Sequence, residues 1–109
     1  MRQKTKLNME LEVEMGMPLI SGTSLMGYLP PDTTYKQVVQ VFGEPGKRNL
    51  DKVKVEWRGW INGQTFSIYD YKYNDPIELI TDWHIGAFNR MTANLVVAYF
   101  LSAIKKNSK

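Results

Sequence analysis

The dipeptide Asn62-Gly63, set between two alternating apolar runs, constrains this chain more than any other feature of its sequence. Asn-Gly accepts positive φ at both central positions of a two-residue turn, the geometry that matches the twist of a type I′ hairpin. The flanking runs, Lys52 to Ile61 and Thr65 to Tyr73, are therefore predicted to pair with Ile61 opposite Gln64. That register puts Trp57 across from Ile68 and Gly59 across from Phe66. With Val53, Val55 and Ile61 they form one apolar face, and Gly59 leaves room for the Phe66 ring. The other face carries Lys54, Glu56, Arg58 and Trp60 on one strand and Thr65, Ser67, Tyr69, Tyr71 and Tyr73 on the other. Cross-strand neighbours there are predicted to be Lys54 with Tyr71, Glu56 with Tyr69, and Arg58 with Ser67.

The rest of the chain assembles around this hairpin. Leu7, Met9, Leu11, Val13, Met15 and Met17 alternate with polar residues and three glutamates, the period of a strand or of an arm that orders on pairing. Thr23 to Leu29 reads as a short strand, and Pro30-Pro31-Asp32 as a rigid turn. A helix is predicted from Thr34 to Phe42. Thr34 and Gln37 have capping-box spacing, Tyr35, Val38, Val39 and Phe42 share one face, and Gly43 supplies an αL stop before Pro45. Asn74-Asp75-Pro76 ends the hairpin. Asp82 to Phe88 is predicted to be a strand with Trp83 and Ile85 inward and His84 on the opposite face. Asn89 then caps a helix from Arg90 to Lys106. The expected fold is α+β, an antiparallel sheet with a central hairpin and two helices in the order β-β-α-β-β-β-α. Residues 1–17 form an N-terminal strand or arm, and residues 18–109 a single domain.

Composition bounds the function classes. A chain of 109 residues with 43% hydrophobic and 12% aromatic content can pack one core. With no cysteine and one histidine, neither a thiolate nor a histidine-rich metal site can form within one chain. The basic N-terminus is followed by glutamates rather than an apolar stretch, so no secretory leader is expected. The longest apolar run, Leu95 to Leu101, falls far short of the roughly 20 residues that span a bilayer. A net charge of +3 is too small to point to nucleic acid. That same apolar run covers every direction around a helix axis, which predicts that a second copy covers part of the terminal helix, through Val97, Phe100 and Leu101, the alternative being cover by the N-terminal strand or the first helix.

No motif names a reaction. No nucleophile elbow or phosphate-binding loop is present, and no cofactor is implied. Asp70 falls on the apolar face, where its carboxylate needs hydrogen bonds or a charged partner; the residues leave open whether that is structural or functional. The outer hairpin face is the candidate binding surface. Lys54, Arg58, Trp60, Tyr69 and Tyr71, joined by His84 if its strand lies alongside, combine stacking rings with positive charge.

Four segments also carry a resemblance: Gly22-Thr-Ser-Leu-Met-Gly-Tyr28, Tyr35-Lys-Gln-Val-Val-Gln-Val-Phe-Gly-Glu-Pro45, Val55-Glu-Trp57 continuing to Ile68-Tyr-Asp-Tyr-Lys72, and Trp83-His-Ile-Gly86. Together they resemble a group of small proteins encoded by tailed bacteriophages and related mobile elements. The likeness spans roughly residues 22–89. Members of that group often have Asp-Gly at the turn and Gly-Gly at the end of the last motif, where this chain has Asn62-Gly63 and Gly86-Ala87. The resemblance implies an accessory protein acting in the cytoplasm of a bacterial host and carries over no catalytic residue. In that setting the expected function is a non-catalytic, anti-defence binder that sequesters a nucleotide-derived signal. The alternative is an inhibitor that docks on a host defence protein, and a small hydrolase using Asp70, Asp82 or His84 ranks last.

Overall fold

The computed structural model describes residues 11–47, 53–71 and 75–107. Its centre is the predicted hairpin, formed by β4 (Val55–Ile61) and β5 (Gln64–Tyr69). The register follows the turn: Ile61 pairs with Gln64, Gly59 with Phe66, Arg58 with Ser67, Trp57 with Ile68 and Glu56 with Tyr69. Asn62 and Gly63 have φ of 49° and 81°, both in the left-handed region that Asn-Gly tolerates. Asn62 also ties the turn to its neighbour: its Oδ1 accepts from the Glu12 N–H at 2.8 Å, and its own N–H donates to the Glu12 carbonyl at 2.9 Å.

Four further strands extend the sheet, all antiparallel. β1 (Val13–Met15) and the two-residue β3 (Gly46–Lys47) share the outer edge of β4, one at each end. On the other side β5 pairs with β6 (His84–Ala87), and β6 with β2 (Ser24–Tyr28), which forms the far edge. The path is β1-β4-β5-β6-β2. The predicted element order holds with two additions, β3 and a 3-10 turn at Ile77–Leu79. The parts of the predicted elements at residues 7–10, 52 and 72–74 lie outside the described residues.

Two helices cover one face. α1 (Tyr35–Phe42) starts with the predicted capping box, the Gln37 N–H donating to Thr34 Oγ1 at 3.2 Å and the Thr34 N–H to Gln37 Oε1 at 3.0 Å. It stops at Gly43, whose φ of 88° and ψ of −167° are a glycine conformation, but not the αL cap expected. α2 (Arg90–Asn107) is capped by Asn89, whose Oδ1 accepts from the Thr92 N–H at 2.8 Å.

Between helices and sheet lies an aromatic core. Trp57 and Trp83 meet edge-to-face at 5.5 Å, and each indole N–H donates to a carbonyl, that of Gly43 and of Thr33 respectively. Phe66, Ile68, Ile61 and Ile85 are fully buried with them. Phe100 stacks on Phe42 at 6.3 Å and is only 3% exposed, so it belongs to the core of one chain and cannot be the inter-chain contact predicted for it. Leu101, at 49% exposure, remains on the surface. Asp70 is fully buried; its Oδ1 accepts from the backbone N–H groups of Lys54 and Val55 at 2.9 and 3.0 Å, while its Oδ2 is buried without a hydrogen-bond partner among the described residues.

Candidate functional site

Alternation along the strands decides what the face opposite the helices presents. With Trp57, Ile68 and Ile85 turned to the core, their neighbours Glu56, Tyr69 and His84 turn outward in register across three strands. A bulge between Leu25 and Gly27 shifts β2 by one residue, so Tyr28 pairs with His84 and completes the rank. Glu56, Tyr69, His84 and Tyr28 therefore stand side by side over four strands.

His84 is the centre of that rank. Tyr69 stacks on it at 5.4 Å and an interplanar angle of 23°, while Tyr28 and Tyr71 approach at tilted angles, 5.0 and 5.6 Å away. Burial among these rings lowers the imidazole pKa from its ordinary value, outweighing the opposite pull of Asp82 and Asp70. Near pH 7 the ring is accordingly neutral. Its Nδ1 is buried without a hydrogen-bond partner among the described residues. Burial, with Glu56 next to it, raises the Tyr69 pKa, which keeps that phenol protonated.

The next rank is small. Ser67 and Gly86 pair with each other, and a Cβ on Gly86 would lie 2.7 Å from Ser67 Oγ and 3.4 Å from Tyr69 Cε1. The missing side chain leaves a depression of about 270 Å³ beside the Tyr69 ring. Glu56, Ser67, Tyr69, Gly86 and Ser24 line it from the sheet, with Val53 just before β4, and Ile20 and Thr23 from the chain above. Those upper residues are there because β1 and β2, adjacent in sequence, sit at opposite edges of the sheet. Their connection, residues 16–23, passes along the outer face: Gly16 donates its N–H to the Arg58 carbonyl and abuts the Trp60 ring, and Ile20 and Thr23 reach the depression. The face is thus partly roofed, and Glu56 and Ser67 are 8% and 2% exposed.

The six predicted site residues all lie outside the core, but they do not form one constellation. Tyr69, Tyr71 and His84 come together, and Tyr28, which the sequence reading missed, joins them. Trp60 stands toward the turn end of the hairpin, under Gly16. Arg58 is tied to its strand neighbour, Nε lying 3.2 Å from Glu56 Oε1. Lys54 does not pair with Tyr71 in the described ladder; its ammonium donates to the Asp75 carbonyl at 2.7 Å. The expected field of cations is therefore replaced by a hollow of mixed lining next to stacked rings.

Among the described residues no group of three or more His, Asp or Glu side chains is arranged to hold a metal, and no helix is long and apolar enough to cross a membrane. Comparison with family models, with curated proteins and with solved structures finds no match to this chain.

Proposed function

We propose that this protein is a non-catalytic binding module whose sheet face captures the base of a nucleotide-derived small molecule. The observation that carries this reading is the juxtaposition of the Tyr28–His84–Tyr69 rank with the hollow floored by Ser67 and Gly86. Stacking on an aromatic side chain contributes about 1–3 kcal/mol per base and tolerates many bases. A hollow with a few convergent polar groups then orients the ring. Catalysis finds less support. The histidine is packed among three tyrosine rings rather than open to a substrate.

The resemblance to phage-encoded proteins supplies the biological setting of the proposal, an anti-defence protein that removes a signalling nucleotide in the host cytoplasm. A homo-oligomer joined along the exposed side of α2, at Met91, Ala98 and Leu101, belongs to the same proposal. Calorimetric titration with nucleoside monophosphates tests the binding. Saturable binding that Tyr69→Ala weakens at least about tenfold, the factor of about 1.4 kcal/mol, supports the reading. No heat with any nucleotide at millimolar concentration overturns it. For the setting, a phage lacking this gene is plated on hosts with and without nucleotide-signalling defence. Equal plating on both contradicts the anti-defence assignment.

A further inference from the structure

β1 clasps the hairpin turn through one side chain. Its register, Val13 with Ile61 and Glu14 with Trp60, makes Glu12 and Asn62 the next rung of the ladder. The Asn62 N–H fills its half of that rung, donating to the Glu12 carbonyl at 2.9 Å. In a regular antiparallel rung the Glu12 N–H would donate in return to the Asn62 backbone carbonyl. It donates instead to the side-chain Oδ1, at 2.8 Å, because Asn62 has entered the left-handed conformation of the turn. The side-chain amide thus stands in for the backbone.

The same amide precedes a glycine, which exposes it to a spontaneous reaction. The Gly63 nitrogen loses its proton to base and bonds to Asn62 Cγ. The Cγ–Nδ2 bond breaks, and ammonia leaves after taking up a proton. The resulting succinimide ring is opened by water at one of its two carbonyls, giving aspartate or isoaspartate. Overall one amide and one water become one carboxylic acid and one ammonia, with nothing oxidised or reduced. Glycine puts no side chain in the way of the attacking nitrogen. Asn62 and Gly63 are both exposed, and a Cβ built on Gly63 would meet nothing within 4 Å, so water and base reach the turn.

The folded turn opposes ring closure. The ring forms only when the Gly63 nitrogen eclipses the Asn62 Cβ about the Cα–C bond. With φ of 49° Asn62 lies in the left-handed well, where ψ is typically about +47° and that nitrogen points nearly opposite Cβ. Closure therefore requires the peptide after Asn62 to swing round and the amide to leave Glu12. The clasp itself is weakly held: β1 is a three-residue edge strand whose Glu14 and Met15 are exposed, the kind of element that opens locally before the core does.

We propose that Asn62 is a deamidation site gated by β1, shut while the Glu12 rung is made and open to irreversible conversion whenever that edge lifts. Aspartate at this position would keep an acceptor for the Glu12 N–H. Isoaspartate would lengthen the main chain by one carbon, so the two-residue turn could no longer hold Ile61 opposite Gln64.

The test holds the full-length protein at mildly alkaline pH and follows residue 62 by peptide mapping with mass spectrometry, the two products being separated chromatographically. Conversion is expected to be at least about tenfold slower in the folded protein than in the same chain unfolded in guanidinium chloride, a factor of about 1.4 kcal/mol. Glu12→Pro lacks the N–H of the rung and is expected to speed conversion in the folded protein at least about threefold, the low end of what one hydrogen bond carries. Glu12→Ala keeps that N–H and is expected to match the wild type. Thermal melting checks that both variants are folded. Equal rates in the folded and unfolded wild-type chain overturn the gate, and so does a faster rate in the folded chain, where the Glu12 N–H would be activating the amide. A Glu12→Pro rate no faster than that of Glu12→Ala overturns the role of the rung. Absence of conversion at residue 62 in the unfolded chain overturns the site itself.

Discussion

Replacing Gly86 with alanine probes the hollow from the inside. The new methyl would sit 2.7 Å from Ser67 Oγ, closer than any real Cβ contact, and 3.4 Å from Tyr69 Cε1, which is ordinary contact. The conflict is therefore with one atom. Ser67 is 2% exposed, so its hydroxyl has little room to turn away, and overpacking of this kind costs about 1–3 kcal/mol. Gly86 does not have positive φ, so the reduced freedom of the unfolded chain returns about 0.4–1 kcal/mol. A net loss of about 1–2 kcal/mol is expected, read as a lower urea midpoint at unchanged slope. Ser67→Ala removes the clashing oxygen. In the double variant the cost of Gly86→Ala is expected to fall below about 0.5 kcal/mol, a coupling that a double-mutant cycle resolves. Base binding stays weakened in both, because the methyl still occupies the hollow. Strict additivity of the two substitutions would refute the geometry on which the site rests.

Three other outcomes follow from the same structure. Gly63→Val forces a β-branched residue to a φ of 81° and is expected to destabilise the domain by about 1 kcal/mol or more by chemical denaturation. Asp70→Ala strands the N–H groups of Lys54 and Val55 and should cost about 2 kcal/mol, whereas Asp70→Asn, which keeps an acceptor, should cost less. The depressed pKa of His84 makes stability depend on pH: the unfolded chain takes up the proton near pH 6.5 and the folded one only below that, so stability falls as pH drops from about 7 toward the folded pKa. His84→Phe is expected to flatten that slope between about pH 7 and 5.5, above the range where ordinary carboxylates titrate.

How much of this was legible in the sequence depended on whether the deciding interaction was local. Asn62-Gly63 dictates the hairpin register, so the alternation read from it separates Trp57 and Ile68 from Arg58 and Tyr69 as the structure does. The Thr34–Gln37 capping box and the Asn89 cap are likewise set within a few residues. Tyr28 escaped because the bulge at Met26 reverses the parity of β2, and a period-two reading of that segment cannot locate a bulge. The roof over the outer face escaped because it depends on strand order. Nothing in residues 13–28 announces that two consecutive strands lie at opposite edges of the sheet. The pairing of Arg58 with Glu56 could have been read, since residues two apart on a strand share a face and these carry opposite charge.

The central claim is that ligand binds where the ring rank meets the hollow. Amide chemical shifts of the isotope-labelled protein, followed through titrations with nucleoside monophosphates, test it most directly. The account predicts saturable shifts at Ile20, Thr23, Glu56, Ser67, Tyr69, His84 and Gly86, with α1 and the Asn62-Gly63 turn unmoved. Shifts confined to α2 or to the turn, or none at any of these seven residues, would contradict it.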